Sequence, residues 1–312
     1  MALLARKTAI LAKIETTYGT DSIPTGAANA VLVSNLNLSS PMATDYAARD
    51  LVRPYFGNSE NLPNDFFTTV EFEVEMAGSG VAGTAPAYAP LLRACGFAET
   101  INAGVSAVYG LISSSIPSLT IYFNVDGVLH ALTGARGTVT TSLTVKQIPK
   151  FRFTFMGLYQ EVIDSALPSA TYSAYRKPLT VSKVNTQSFS LHGFSPCMSS
   201  LELSLNNEMV NRALINCVKE TMITDRKPTG SVTIEAPTVA EKDYWDIVAS
   251  AATGALSIVH GIGAGNIVQI SAPMTQLTTP QYNVEDGIQM LQMALIPVPS
   301  TSGNDEIVIT VR

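Results

Sequence analysis

Charge is scarce in this chain. Asp, Glu, Lys and Arg make up 14% of its 312 residues and hydrophobic types 46%, against a charged share of about 25% in an ordinary soluble domain. A freely diffusing monomer would show an unusually uncharged surface, so part of that surface is expected to be buried against other subunits. The formal net charge of −6 argues against a protein that grips nucleic acid by its phosphates, though not against one that lets it slide past. Cysteine is sparse too. Cys95, Cys197 and Cys217 lie far apart without a C-x-x-C pair, and an odd count cannot complete an intrachain disulfide framework. They read as reduced thiols in a cytoplasmic setting. No run is long and apolar enough to span a membrane, and Arg6, Lys7 and Lys13 interrupt the mildly apolar N-terminus before a signal-type core forms. Neither secretion nor a membrane partner is expected.

The combinations of residues that carry chemistry are also missing. His130, His192 and His260 stand singly, without metal-ligand spacing, and read as surface or interface residues. There is no G-x-S-x-G elbow and no pair of carboxylates framed by pocket-forming sequence. One pattern has to be weighed: Gly78-Ser-Gly-Val-Ala-Gly83 fits G-x-G-x-x-G, follows a strand and precedes a helix. A dinucleotide-binding strand is apolar on both faces, whereas Glu71, Glu73 and Glu75 make this one half polar. The helix also starts only after Thr84-Ala-Pro86, too late to meet a pyrophosphate held by these glycines. A flexible strand-to-helix loop is the better reading, and Gly261-Ile-Gly-Ala-Gly265 is weaker still. No catalytic residue, cofactor or metal site is predicted, and an enzyme is not expected.

What is present is Ser, Thr, Val, Ala, Gly and Pro in segments whose apolar residues alternate, which predicts a mainly β protein. The two halves also match in order. Ser34-Asn-Leu-Asn-Leu-Ser39 reads against Ser199-Ser-Leu-Glu-Leu-Ser204, and a long polar stretch follows each, Pro41 to Asp65 and Asn206 to Pro228. Val70-Glu-Phe-Glu-Val-Glu75 then faces Ser231-Val-Thr-Ile-Glu235, with Phe72 and Val74 falling on Val232 and Ile234. Short amphipathic helices are expected at Tyr88 to Gly96 and Tyr244 to Ser250. Thr140 to Gly157 lies opposite Thr278 to Leu295. Two repeats are therefore predicted, at 1–160 and 188–312, with a linker at 161–187 and a C-terminal strand at Glu306 to Arg312. Chance likeness between two Val/Thr/Ser-rich halves is the competing explanation.

Several of these segments resemble the major tail tube proteins of long-tailed, siphovirus-type bacteriophages. Ala12-Lys-Ile-Glu-Thr-Thr-Tyr-Gly-Thr-Asp21 and Ala30-Val-Leu-Val-Ser-Asn-Leu36 are similar to the family's opening, a Glu-x-x-Tyr-Gly segment leading into the first strand. Phe72 to Gly80 and Ala85 to Phe97 are similar to its strand, Gly-rich loop and helix. The resemblance is most specific over about the first hundred residues. It implies a β-sandwich or barrel-like domain with one packed helix, whose strands join those of neighbours into an inner barrel, stacked rings of which conduct the genome during ejection. It also implies other tail proteins as partners, among them the tape measure, terminator and distal tail proteins, and a place in the virion after assembly in the host cytoplasm. A single-domain subunit would need only about half this length, so three double subunits are expected where six single ones would stand. The rival reading is another tail component, such as a terminator or baseplate protein.

Two sets of residues carry the assembly hypothesis. Glu71, Glu73 and Glu75, with Thr233 and Glu235 in the second half, lie opposite the apolar side of their strands and are expected to line the lumen, where double-stranded DNA passes without specific binding. The two long stretches are expected to reach from ring to ring. A solvated loop has no need of their apolar residues Leu51, Tyr55, Phe56, Val210 and Met222.

Overall fold

The computed structural model describes residues 2–312; Met1, which opens the apolar N-terminal stretch, and the side chains of Ser39 and Ser40 lie outside the described residues. The chain is mainly β. Its first half contains β1 (Thr8–Ile14), α1 (Gly26–Asn29), β2 (Ala30–Val31), β3 (Ser34–Ala47), β4 (Leu62–Glu75), α2 (Ala89–Ala94), β5 (Phe97–Asn102), β6 (Ser106–Leu111), β7 (Leu119–Val125), β8 (Val128–Thr144) and β9 (Lys150–Tyr159). Residues 161–187, expected as a linker, hold the two-residue strand β10 (Ile163–Asp164) and the start of the next strand. The second half contains β11 (Thr186–Leu191), β12 (Met198–Ser204), β13 (Asn207–Arg212), β14 (Glu220–Arg226), β15 (Thr229–Glu235), α3 (Tyr244–Ala249), β16 (Thr253–His260), β17 (Val268–Glu285), β18 (Ile288–Pro297) and β19 (Val308–Val311).

Alternation sets the strands. In β4 and β9 every second residue is buried, Val70, Phe72 and Val74 against Phe151, Phe153 and Phe155, with polar residues between them. Phe72 pairs directly with Phe153 in the register, and the rings of Phe72, Phe153 and Phe155 lie about 6 Å apart, each adding roughly 2–3 kcal/mol by burial. Tight turns close the hairpins. Asp126-Gly127 joins β7 to β8 and Asp286-Gly287 joins β17 to β18, all four at positive φ, as a two-residue turn matched to strand twist requires.

The antiparallel pairings run β3–β4–β9–β8 in the first half and β12–β15–β18–β17 in the second. β8 also pairs with β12, Thr140 opposite Ser204 and Thr144 opposite Ser200, so an eight-strand sheet crosses from one half into the other. The C-terminal strand does find an edge. β19 lies between β17 and β6, with Ile309 opposite both Ile270 and Tyr109. The helices pack on the apolar face. Pro90 stands in the first turn of α2, which buries Leu91 and Leu92, while the Asp243 carboxylate accepts from Asp246 N at 2.9 Å to cap α3. The buried apolar residues of both halves form one contiguous cluster.

The two long polar stretches are hairpins. β3 continues to Ala47 and β4 begins at Leu62, leaving only 48–61 irregular, and β13 pairs with β14 through most of 206–228. β3 pairs only through repeated register shifts around Pro41, a residue an edge strand tolerates because its missing N–H faces outward.

Candidate functional site

The eight-strand sheet has one apolar face under the helices and one polar face. Along β4 and β9, Glu71, Glu73, Lys150, Arg152 and Thr154 fall on the polar side, because their apolar neighbours occupy the core. The carboxylates are not bare. Lys150 Nζ donates to Glu73 at 2.8 Å and Asn35 Nδ2 to the same oxygen at 2.7 Å, while Arg152 Nε stands 3.0 Å from Glu71 and 3.9 Å from Glu73. Burial pushes the Glu73 carboxyl up, but Lys150 and Asn35 outweigh it and hold its pKa below the usual range. Of the three carboxylates expected on this face, Glu71 and Glu73 are thus paired with cations, whereas Glu75 forms no ion pair among the described residues. The cationic partners, Lys150 and Arg152, lie more than seventy residues away in sequence and arrive through the β4–β9 pairing, while Asn35 comes from β3.

This face forms an open trough of ≈600 Å³ lined by Asn35, Glu73, Thr140, Ser142, Lys150 and Glu202 among others. Its lining is mostly hydroxyls, amides and charges with Ile148 among them; Lys150 is paired with Glu73 and Arg152 with Glu71, while Glu202 forms no ion pair among the described residues. In the second half Glu235 is exposed at the end of β15, whereas Thr233, between Ser200 and Gln292, is only 6% exposed and offers little to a channel.

The two hairpins differ in what they touch. The β3–β4 tip leaves Leu51, Val52, Tyr55 and Phe56 exposed. The β13–β14 hairpin leaves Val210, Leu214, Ile215 and Val218 exposed and Met222 half-buried, but its body is docked on the first half. Arg136 of β8 bonds Glu220 and the Thr221 carbonyl, each at 2.8 Å, while its guanidinium lies 5.0 Å from the Tyr18 ring centre. Thr221 N donates to the Tyr18 hydroxyl at 2.6 Å. Asn211 and Lys219 both bond Asp65, and Arg226 meets Glu306 at 3.0 Å.

That contact gives the Glu-x-x-Tyr-Gly segment a physical role. The buried Glu15 carboxylate accepts from Ser118 Oγ, Thr120 Oγ1, Gly134 N and Gly19 N at 2.6–2.9 Å, and so fixes the turn that presents Tyr18. Tyr18, Arg136 and Glu220 escape a reading of the sequence by position. The motif is the signal that could have found the first of them.

The two glycine patterns turn out to touch each other. Gly78 N donates to Asn266 Oδ1 at 2.9 Å and Gly80 N to the Gly265 carbonyl at 2.8 Å. A Cβ on Gly78 would sit 2.0 Å from Gly265 O, so glycine is required there by the approach of one backbone to another. The expected free, flexible loop is corrected to a clamped one. A second correction concerns His260, which is not at the surface. It is 3% exposed, with Nδ1 3.1 Å from Thr186 Oγ1 and Nε2 3.1 Å from the Leu179 carbonyl, because β16 lies inside the sheet. Cys95 is buried, which pushes its thiol pKa up, whereas Cys197 and Cys217 are exposed. Among the described residues no group of three or more His, Cys, Asp or Glu is placed to hold a metal ion, and no described helix is long and apolar enough to cross a membrane.

No curated protein matches the chain. A match to the family described as phage tail tube protein extends over residues 5–311, from before β1 to the end of β19. With nearly its whole length matched, the chain belongs to the phage tail tube protein family and is a virion component.

Proposed function

We propose that the chain is the repeating subunit of a tail tube, and that three copies close into a ring whose polar sheet face lines the channel conducting the genome. In this reading the runs β3–β4–β9–β8 and β12–β15–β18–β17 are two copies of one unit. The observation that carries it is the β8–β12 joint. Its counterparts at the two ends of the sheet have no partner strand among the described residues: the outer edge of β3 and that of the far half of β17. Superposing the units through their shared pairings sets Leu36 of one copy opposite Val284 of the next and Leu38 opposite Tyr282, as Leu201 and Leu203 stand opposite Leu143 and Thr141 inside the chain. The exposures fit. Leu201 and Leu203 are buried, Leu36 and Leu38 only half-buried, and Tyr282 and Val284 are 56% and 64% exposed. Closing the joint would gain up to about 2 kcal/mol for each large side chain covered. Three chains of eight strands give a barrel of ~24, wide enough for a channel.

The subunit's role is structural and not catalytic. Its further partners are the proteins that begin, measure and end a tail, and assembly takes place in the host cytoplasm. The two hairpins reach towards the neighbouring ring. Electron microscopy of the purified protein tests this reading: hollow tubes of constant width with threefold symmetry are expected. Sixfold rings would refute the paired-unit argument, and single rings that never stack would point to a terminator.

A further inference from the structure

Four segments far apart in sequence meet at one place, and none of their residues lines the polar trough. They are the loop 78–84 after β4, the β5–β6 connection 101–105, the stretch 176–185 before β11, and the β16–β17 loop 261–267. Backbone contacts join them. Besides the bonds from Gly78 and Gly80 to Asn266 and Gly265, Gly261 N donates to the Asn185 carbonyl at 2.7 Å and Arg176 Nε to the Ser79 carbonyl at 3.3 Å. A Cβ on Gly83 would sit 2.3 Å from Gly104 N, so the first loop lies directly on the β5–β6 connection. Each segment carries aliphatic side chains into solvent: Val81, Ile101, Val105, Val184 and Ile262 are 45–77% exposed.

The charge around them is of one sign. In a protein of net charge −6, none of the 25 Asp and Glu residues lies in these segments, whereas Arg176, Lys177 and Lys183 do. Arg312 joins them, because its backbone N and O both bond Ile267 at 2.9 Å and β19 sets Val311 opposite Ala107, two residues beyond Val105. All four cations are exposed and form no ion pair among the described residues. Glu75 lines a small cleft with Arg176 without pairing to it.

We infer that this basic, aliphatic patch is a docking surface for an acidic protein segment, supplied by a partner other than this chain and presenting aliphatic side chains between its carboxylates. Exposed apolar surface with a charged rim suits a protein contact, and the sign of the rim selects the partner. The clamped backbones hold the patch in place, so little order is lost on binding. A second copy is the poorer match, since the chain's own exposed apolar tips, 51–56 and 214–218, stand beside Arg53 and Arg212. The four segments hold no Trp, Tyr or Phe, the side chains that seat in a membrane interface or stack on bases, which disfavours a lipid surface or a nucleic acid. The number of chains in a ring does not enter the inference.

The test is fluorescence polarisation of a short labelled peptide alternating glutamate and leucine, titrated with the purified full chain. Wild type is expected to bind it, with affinity falling about tenfold in the double variants K177E/K183E and V81S/V105S, whose positions are all exposed. A similar fall is expected when lysine replaces the peptide's glutamate or serine its leucine. Both variants are expected to form tubes as wild type does. Absence of binding, or equal affinity in variants and wild type, would overturn the proposal. So would tighter binding of duplex DNA or of phosphatidylglycerol vesicles than of the peptide, which would give the patch to a phosphate ligand. If the variants lose tube formation while wild type keeps it, the patch belongs to a contact between copies and the proposal falls with the tube reading intact. Peptide binding by a wild type that forms no tubes would do the reverse, leaving the docking surface and removing the tube reading.

Discussion

Arg136 and Glu220, 84 residues apart, meet at 2.8 Å with both side chains mostly buried, and they tie the hairpin of the second half to the sheet of the first. The same guanidinium bonds the Thr221 carbonyl and covers Tyr18, so a single side chain holds three elements together.

Arg136→Met keeps the aliphatic stem and removes the bonds. It is expected to cost about 2 kcal/mol, since Glu220 would be left partly buried without its cation. Hydrogen exchange should rise across 207–226 while β4 and β9 stay protected. Unchanged exchange in the hairpin would show that Asp65 and Asn207 hold it without Arg136.

Gly78→Ala is expected to cost more than about 2 kcal/mol, because the added carbon would lie 2.0 Å from a backbone oxygen that cannot swing aside. Gly104→Ala is the control. Its Cβ would meet nothing within 4 Å, so only its φ of +71° is at stake. Urea denaturation midpoints should fall further for the first than for the second.

Removing residues 308–312 deletes β19, whose Ile309 and Val311 are buried between β17 and β6. The expected loss is roughly 3–5 kcal/mol from two buried aliphatics and the unpaired edges left behind. The thermal transition should drop by several degrees, and dye binding to newly exposed apolar surface should increase. A transition at the wild-type temperature would refute a structural role for the strand.

Acid should unfold the protein in two stages. Burial lowers the pKa values of His192 and His260, in spite of backbone hydrogen bonds that act the other way, so the unfolded chain takes up protons first and stability falls as pH drops below about 6.5. Asp65 and Glu73 follow. Burial pushes both up, yet their lysine and asparagine partners hold both below the ordinary value, so their contribution is full above about pH 4 and lost below it. Urea midpoints measured across pH should show both declines, with His260→Gln reducing the first.

Lysine on the polar face should slow ejection. Replacing Glu71 or Glu73 would also break the pairs with Arg152 and Lys150, so Ser142→Lys and Glu202→Lys are cleaner probes of the trough. Phage carrying both, with tubes confirmed intact by microscopy, are expected to release DNA more slowly, most clearly at low salt. Ejection at the wild-type rate would sink the lumen assignment.

The amino-acid sequence determined the strands, their inward faces and the positions of α2 and α3, because side-chain alternation and turn chemistry act over a few residues. Phe72 and Val74 face the core for that reason, and Asp126-Gly127 and Asp286-Gly287 turn where they stand. Only the tertiary structure decided who meets whom. Lys150 and Arg152 neutralise Glu73 and Glu71, Gly265 fills the glycine loop at Gly78, β12 docks on β8, and Tyr18 reaches Thr221 across 203 residues. Those contacts join segments far apart in sequence. Their partners are chosen by register and by the shape of a common core, which no local pattern records.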